Sequence, residues 1–180
     1  PLPPQSSFSD LSYATASFGQ GVVVTPVEML AAINAIANGG VWVQPHAVDA
    51  VVDPATGQST PLVPQTRRVM SAGDANVLAH MMVGVVEDPG AEGFEAKIPG
   101  YTGDIAGKTG TASVAVNGAY GSDVITSFAG FMPVGHPDFT MLVILRYPQE
   151  HGIPRFGSML AAPVWKQLAQ VLIDEWRIAP

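Results

Sequence analysis

"DIAGKTGTASVAV", residues 104–116, carries Lys108, one of only three lysines in a chain of 180 residues. A lysine between Gly107 and Thr109 could close a phosphate-binding loop. Such a loop requires G-x-x-x-x-G-K-[ST] at the start of a helix, whose first N–H groups hold the phosphate. Here the upstream glycine is Gly103, so the spacing is G-x-x-x-G-K-T, one residue short, and Thr102 stands at the required position. Thr109, Gly110, Thr111 and Ser113 are poor helix formers, and Asn117-Gly118 signals a turn. From Lys108 onward the chain is therefore expected to be extended, and a nucleotide site is not.

On a strand, Lys108 and Gly110 share one face while Thr109 and Thr111 share the other. An edge strand with local twist can still aim Lys108, Thr109 and Thr111 around one cleft, with Gly110 admitting a ligand to the backbone. A cation, hydroxyls and free amides make a good site for a carboxylate or an oxyanion. The plain alternative is a solvated lysine on a threonine-rich edge strand.

The neighbouring sequence extends this pattern. Strands are expected over about 105–116, 123–132 and 139–146, joined by "NGAYG" and "PVGHPD", both usual hairpin material. Hairpin-linked strands form an antiparallel sheet. Upstream, Thr25, Pro26 and Glu28 make an N-cap, a first helical residue and a capping-box partner, so a helix is expected over about 26–38. Met29, Ile33, Ile36 and Ala37 repeat along it, and Gly39-Gly40 stops it. Val22-Val23-Val24 just before it looks extended. "VWVQPHAVDAVVDPATGQSTPLV" reads as a strand, a turn at Pro54 to Gly57 and a second short strand. Ser71 and Asp74 open another helix with Val77, Leu78, Met81, Met82 and Val85 as its apolar stripe, ended by Asp88-Pro89-Gly90. Glu87 to Thr102 forms a glycine- and acid-rich loop. A last helix is expected over about 161–176, with Val164, Leu168, Val171, Leu172 and Trp176 on one side. Helices around a run of antiparallel strands make an α+β fold.

Composition narrows the function. The chain is 47% apolar and 13% charged, against a typical charged fraction of about 25%, so it can bury a core. A net charge of −7 with scattered basic residues, apart from Arg67-Arg68, excludes nucleic acid as an expected partner. Cysteine is absent, which removes disulfides and thiolate metal sites. No apolar run approaches the roughly 20 residues of a membrane-spanning helix. The opening "PLPPQSSFSD" resembles neither a signal peptide nor a natural start, and residues 1–18 are expected to be a linker or cut end of something longer.

K-T-G is a signature of penicillin-binding proteins and serine β-lactamases. The wider chain resembles the second half of the transpeptidase domain of class B-like penicillin-binding proteins. The likeness runs through "SFGQGVVVTPVEMLAAINAIANGGVWVQPH", "IPGYTGDIAGKTGTA", "SFAGFMPVGHPDFTMLVIL" and "AAPVWKQLAQVLI", in family order. It implies a partial β-lactamase/transpeptidase-like fold over 19–180 and, in the full-length protein, a D,D-transpeptidase that cross-links peptidoglycan stem peptides through a serine acyl-enzyme, with β-lactams trapping the serine. It also implies an anchor in the cell membrane, with the domain on the extracytoplasmic face, a part in cell shape or division, and no cofactor. Carried onto matching positions, Lys108 supplies positive charge and helps hold the proton network of the nucleophile. Thr109 and Thr111 bind the terminal carboxylate of a D-Ala-D-Ala stem, the Thr111 N–H is one oxyanion donor, and Gly110 keeps the strand open.

The departures are as informative. S-x-x-K is absent: Phe94, Ile105 and Pro163 stand three residues before Lys97, Lys108 and Lys166. S-x-N is absent too, since Ala32, Ile36, Asp74 and Ala115 stand two before the four asparagines. The chain alone is therefore expected to be inactive, needing the upstream half of the domain from the same or a companion chain. A β-lactam sensor or silent scaffold on the same fold is the alternative function.

Other residues are expected to be structural. The four histidines, His46, His80, His136 and His151, have no metal-ligand spacing. Glu87, Asp88, Glu92 and Glu95 are expected to form a solvated acidic loop, Trp42, Trp165, Trp176 and Met81-Met82 to pack the core, and Arg146 to be structural. Gln20 and Gly21 are expected to mark a tight approach of the chain before the first long helix.

Overall fold

The computed structural model of the chain describes residues 5–17, 19, 21–116, 119–149 and 152–180. Gln20, the Asn117-Gly118 turn and His151 lie outside the described residues. The first helix, α1 (Asp10–Ala16), falls in the stretch expected to be a linker and is capped by Ser9, whose hydroxyl accepts from the Ser12 N–H. Gly21 follows at φ +72°, and a Cβ there would lie 3.1 Å from the Thr15 hydroxyl. The chain does turn tightly here, a conformation that favours glycine. Val22-Val23-Val24 then runs outside any helix or strand.

The helix α2 (Pro26–Ala37) begins at the expected capping box. The Thr25 hydroxyl accepts from the Glu28 N–H at 3.2 Å, and the Glu28 carboxylate accepts from the Thr25 N–H at 2.8 Å. Four short strands follow: β1 (Val41–Val43), β2 (Ala50–Val52), β3 (Ser59–Pro61) and β4 (Thr66–Arg68). The strand and turn expected here divide differently. The β2 and β3 strands form the hairpin over Pro54–Gly57, while β1 pairs with β4 across it. The Asp53 carboxylate accepts from the Ala55 N–H at 2.8 Å and Gly57 takes φ +70°, which closes the turn. Arg68 donates to the carbonyls of Gly39 and Met70, and Arg67 lies over the Trp42 ring at 5.8 Å. The basic pair is thus structural.

Next come α3 (Ala72–Glu87), capped by Ser71, and a turn of 3-10 helix at Phe94–Ala96. The sheet is built from β5 (Ala106–Val116), β6 (Ala119–Met132) and β7 (Phe139–Arg146). Its order is β5-β6-β7, antiparallel throughout, which leaves β5 at an edge. The chain ends with α4 (Gly157–Trp176), which starts earlier than expected and contains Pro163. The fold is α+β, as expected.

Alternation on β6 divides the core in two. Phe128 and Met132 face α4 and pack with Ile105, Phe139, Val143, Trp165, Ala169 and Ile173. Phe131, on the other face, packs with Ala106 and with Ala79 and Met82 of α3. The helix faces bear out part of the expected stripes: Met82 is buried, and Ile33, Ile36, Ala37, Leu78, Val164 and Leu172 pack against the core. The buried positions are Ala31 and Ala35 on α2; Ala75, Ala79, Met82 and Val86 on α3; and Ala161, Ala162, Trp165, Ala169 and Ile173 on α4. Met29, Val77, Met81, Leu168, Val171 and Trp176 are exposed, and Trp42 is half-buried. Alanine on the inner face lets a helix approach the sheet closely, so the most buried positions are small residues and some of the large ones lie at the margin or outside it.

Among the described residues, one polar group in the core is unpartnered: the Thr126 hydroxyl is fully buried and makes no hydrogen bond. Desolvating such a group costs about 1–3 kcal/mol. Thr126→Val is therefore expected to raise stability by about 1 kcal/mol, read as a higher denaturation midpoint of the full-length protein. A destabilised variant would mean that the hydroxyl is satisfied.

Candidate functional site

The edge strand β5 carries the four residues singled out by sequence. Pairing of Ala106 with Phe131 and of Thr109 with Phe128 fixes the faces: Lys108 and Gly110 lie on the α3 side, Thr109 and Thr111 on the α4 side. At the open edge the two sides meet. Lys108 Nζ donates to the Thr109 hydroxyl and the Thr109 carbonyl, each at 3.2 Å.

Close packing of glycines holds the strand in place. A Cβ on Gly110 would collide with the Ser127 hydroxyl, and one on Gly107 with the Phe128 ring. Gly157, the first residue of α4, lies so close to the sheet that a Cβ would stand 2.5 Å from the Gly110 carbonyl and 2.6 Å from that of Ser127. This contact brings the Gly157 N–H to the Thr111 hydroxyl at 3.0 Å. The α4 N-cap, Phe156, has no capping side chain, so Thr111 satisfies one of the free N–H groups of the helix from a different element. The Thr111 hydroxyl accepts there and keeps its own proton to donate. The partial positive charge of the helix N-terminus also points toward Thr111.

Sequence reasoning missed Glu92. It is exposed, as expected of a solvated acidic loop, but its carboxylate is engaged. Thr109 donates to Glu92 Oε2 at 2.9 Å and Lys108 Nζ lies 3.3 Å from the same oxygen. The Thr109 hydroxyl, and then the Lys108 ammonium by hydrogen bond and by charge, hold the Glu92 carboxyl below its usual range. A carboxyl with a lowered value keeps such a contact at neutral pH and loses it as pH falls through that lowered value. Glu87 also departs from expectation. It pairs with Lys97 at 2.6 Å and accepts from the Gly103 N–H at 3.1 Å, pinning the loop that carries Glu92.

The remaining candidates lie apart from this cluster. His46 is bonded to the Gln44 carbonyl, and His136 is exposed in the turn between β6 and β7. Arg146 lies over the Tyr147 ring at 5.4 Å. Among the described residues, no cluster of three or more His, Asp or Glu side chains is placed to hold a metal ion. No described helix is long and apolar enough to cross a membrane.

Lysine, two threonines and a helix N-terminus thus converge on one open strand edge. The family described as the penicillin binding protein transpeptidase domain matches residues 2–170. The chain belongs to that family. Among curated relatives it is 30% identical to stage V sporulation protein D of Bacillus subtilis, over 98% of this chain and 27% of that protein. It is 31% identical to the peptidoglycan D,D-transpeptidase FtsI of Escherichia coli K12, over 99% of this chain and 28% of that protein. Among solved structures, penicillin binding protein 3 from Mycobacterium tuberculosis, complexed with ampicillin, superposes with a TM-score of 0.84 at 30% identity, covering 98% of this chain and 40% of that one. The chain therefore spans less than a third of these two curated relatives, and what it shares with them is one region of a penicillin-binding transpeptidase domain.

Proposed function

We propose that this chain forms the carboxylate-binding and oxyanion wall of the acyl-transfer cleft in a peptidoglycan D,D-transpeptidase. The observation that carries this reading is the open edge of β5, where Lys108, Thr109 and Thr111 meet the N-terminus of α4. Thr109 and Thr111 donate hydroxyl protons to the terminal carboxylate of a D-Ala-D-Ala stem or to that of a β-lactam. The positive end of α4 and the Lys108 ammonium add electrostatic attraction. Lys108 reaches the Thr109 carbonyl at the open edge, and the two-residue alternation of an antiparallel ladder turns the Thr111 N–H to the same edge. There it stabilises the negative charge that develops on the attacked carbonyl oxygen. Gly110 serves the close packing of the strand, because the space its side chain would take is filled by the Ser127 hydroxyl rather than left open for the acyl chain.

The nucleophilic serine comes from the upstream half of the domain. It attacks the penultimate D-Ala carbonyl, D-Ala departs with a proton, and an amine of a second stem takes the acyl group. The full-length protein works at the extracytoplasmic face of the cell membrane. Fluorescent penicillin tests the division of labour. Full-length protein is expected to label covalently, and the 180-residue chain alone is not, because it contains no S-x-x-K serine. Labelling of the isolated chain would overturn the assignment.

A further inference from the structure

The donors assigned above to the substrate carboxylate are already engaged by a carboxylate of the chain itself. Thr109 has one hydroxyl proton, and it is directed at Glu92 Oε2 at 2.9 Å. Lys108 Nζ is turned toward the same group of oxygens, within 3.2–3.3 Å of Glu92 Oε2, the Thr109 carbonyl and the Thr109 hydroxyl. With these bonds made, Thr109 has no proton left for a substrate, and the Lys108 ammonium is drawn toward a carboxylate of the chain itself.

Glu92 is not there by the chance reach of a loose loop. The Gly93 N–H beside it donates to the Val85 carbonyl at 3.0 Å. A Cβ on Gly93 would stand 2.8 Å from that carbonyl oxygen and 3.3 Å from the Phe128 ring. The Ala91 N–H is bonded to Asp88, and the Glu87–Lys97 pair closes the loop further along. The backbone that carries Glu92 is thus packed against α3 and the sheet core.

We infer that Glu92 is an internal competitor that holds Lys108 and Thr109 until the carboxylate of the incoming stem peptide or β-lactam displaces it. This inference rests on the proposed function, since it requires that Lys108 and Thr109 serve that carboxylate. In this chain alone the Glu92 and Lys108 side chains are 73% and 56% exposed, and water and salt weaken a contact so exposed, which eases displacement. The device sets a threshold for binding rather than a block. Its cost falls on ligands whose carboxylate must exchange for that of Glu92, and ligands without a carboxylate do not bear it.

Stopped-flow acylation of the full-length protein by a fluorescent penicillin tests this. Glu92→Gln is expected to acylate about two- to fivefold faster, the range that an exposed ion pair of this kind commands, with the gain in the binding constant and not in the chemical step. Glu92→Ala should behave alike. The same penicillin with its carboxylate esterified should show no gain in either variant. Acylation at or below the wild-type rate in both variants would overturn the inference, as would an equal gain with the ester. Lys108→Ala separates this outcome from failure of the proposed function. Normal acylation of that variant would remove the site itself, whereas its loss beside an unchanged Glu92→Gln rate would remove only the competitor.

Discussion

Full-length protein carrying Lys108→Ala is expected to acylate with labelled penicillin at least about a hundredfold more slowly, the cost of removing one charge-stabilising donor from a preorganised site. The reason is geometric. Lys108 sits on the edge strand with its ammonium bonded to both oxygens of Thr109, so it sets the field around the hydroxyl and the strand edge together. His136→Ala is the internal control. That exposed side chain lies in the turn between β6 and β7, and its loss is expected to leave the rate unchanged. If neither change had an effect, the cleft would lie elsewhere on the domain.

The largest effect on stability is expected at Trp165. This side chain is fully buried against Phe128, at 5.3 Å between ring centroids, and Phe139, at 6.1 Å. Its indole N–H donates to the Met141 carbonyl at 3.1 Å, tying α4 to β7. Trp165→Ala removes the packing, leaves a cavity and breaks that tie, at a cost of about 3–5 kcal/mol. Denaturant unfolding of the full-length protein would read this as a lower midpoint for the transpeptidase domain. Because the same helix delivers the Gly157 N–H to Thr111, acylation should slow in parallel. A loss below about 1 kcal/mol would show that α4 is not held by this residue.

Local chemistry was readable in the sequence where it is self-contained. The Thr25 and Glu28 box fixed the start of α2, and the turn residues placed β5 and β7 close to their observed limits, whereas β6 begins at Ala119, inside the stretch expected to be a connection. The position of Lys108 on an edge strand followed from the hairpin order. Helix faces were less legible, because the large side chains of α4 suggested one stripe while Ala161, Ala162 and Ala169 allow the close approach to the sheet. The pairing of β1 with β4 was hidden because a complete hairpin lies between them in the chain. Glu92 gave no signal at all. It sits in an aperiodic loop, 16 residues from Lys108, and only the folded chain brings the two together.

The most direct measurement is a structure of the full-length protein acylated by benzylpenicillin. The antibiotic's carboxylate is expected within about 2.7–3.0 Å of the Thr109 and Thr111 hydroxyls, with the acyl carbonyl oxygen facing the Thr111 N–H. A carboxylate bound away from both threonines, or an acyl oxygen turned from Thr111, would contradict the assignment of β5 as the substrate-binding wall.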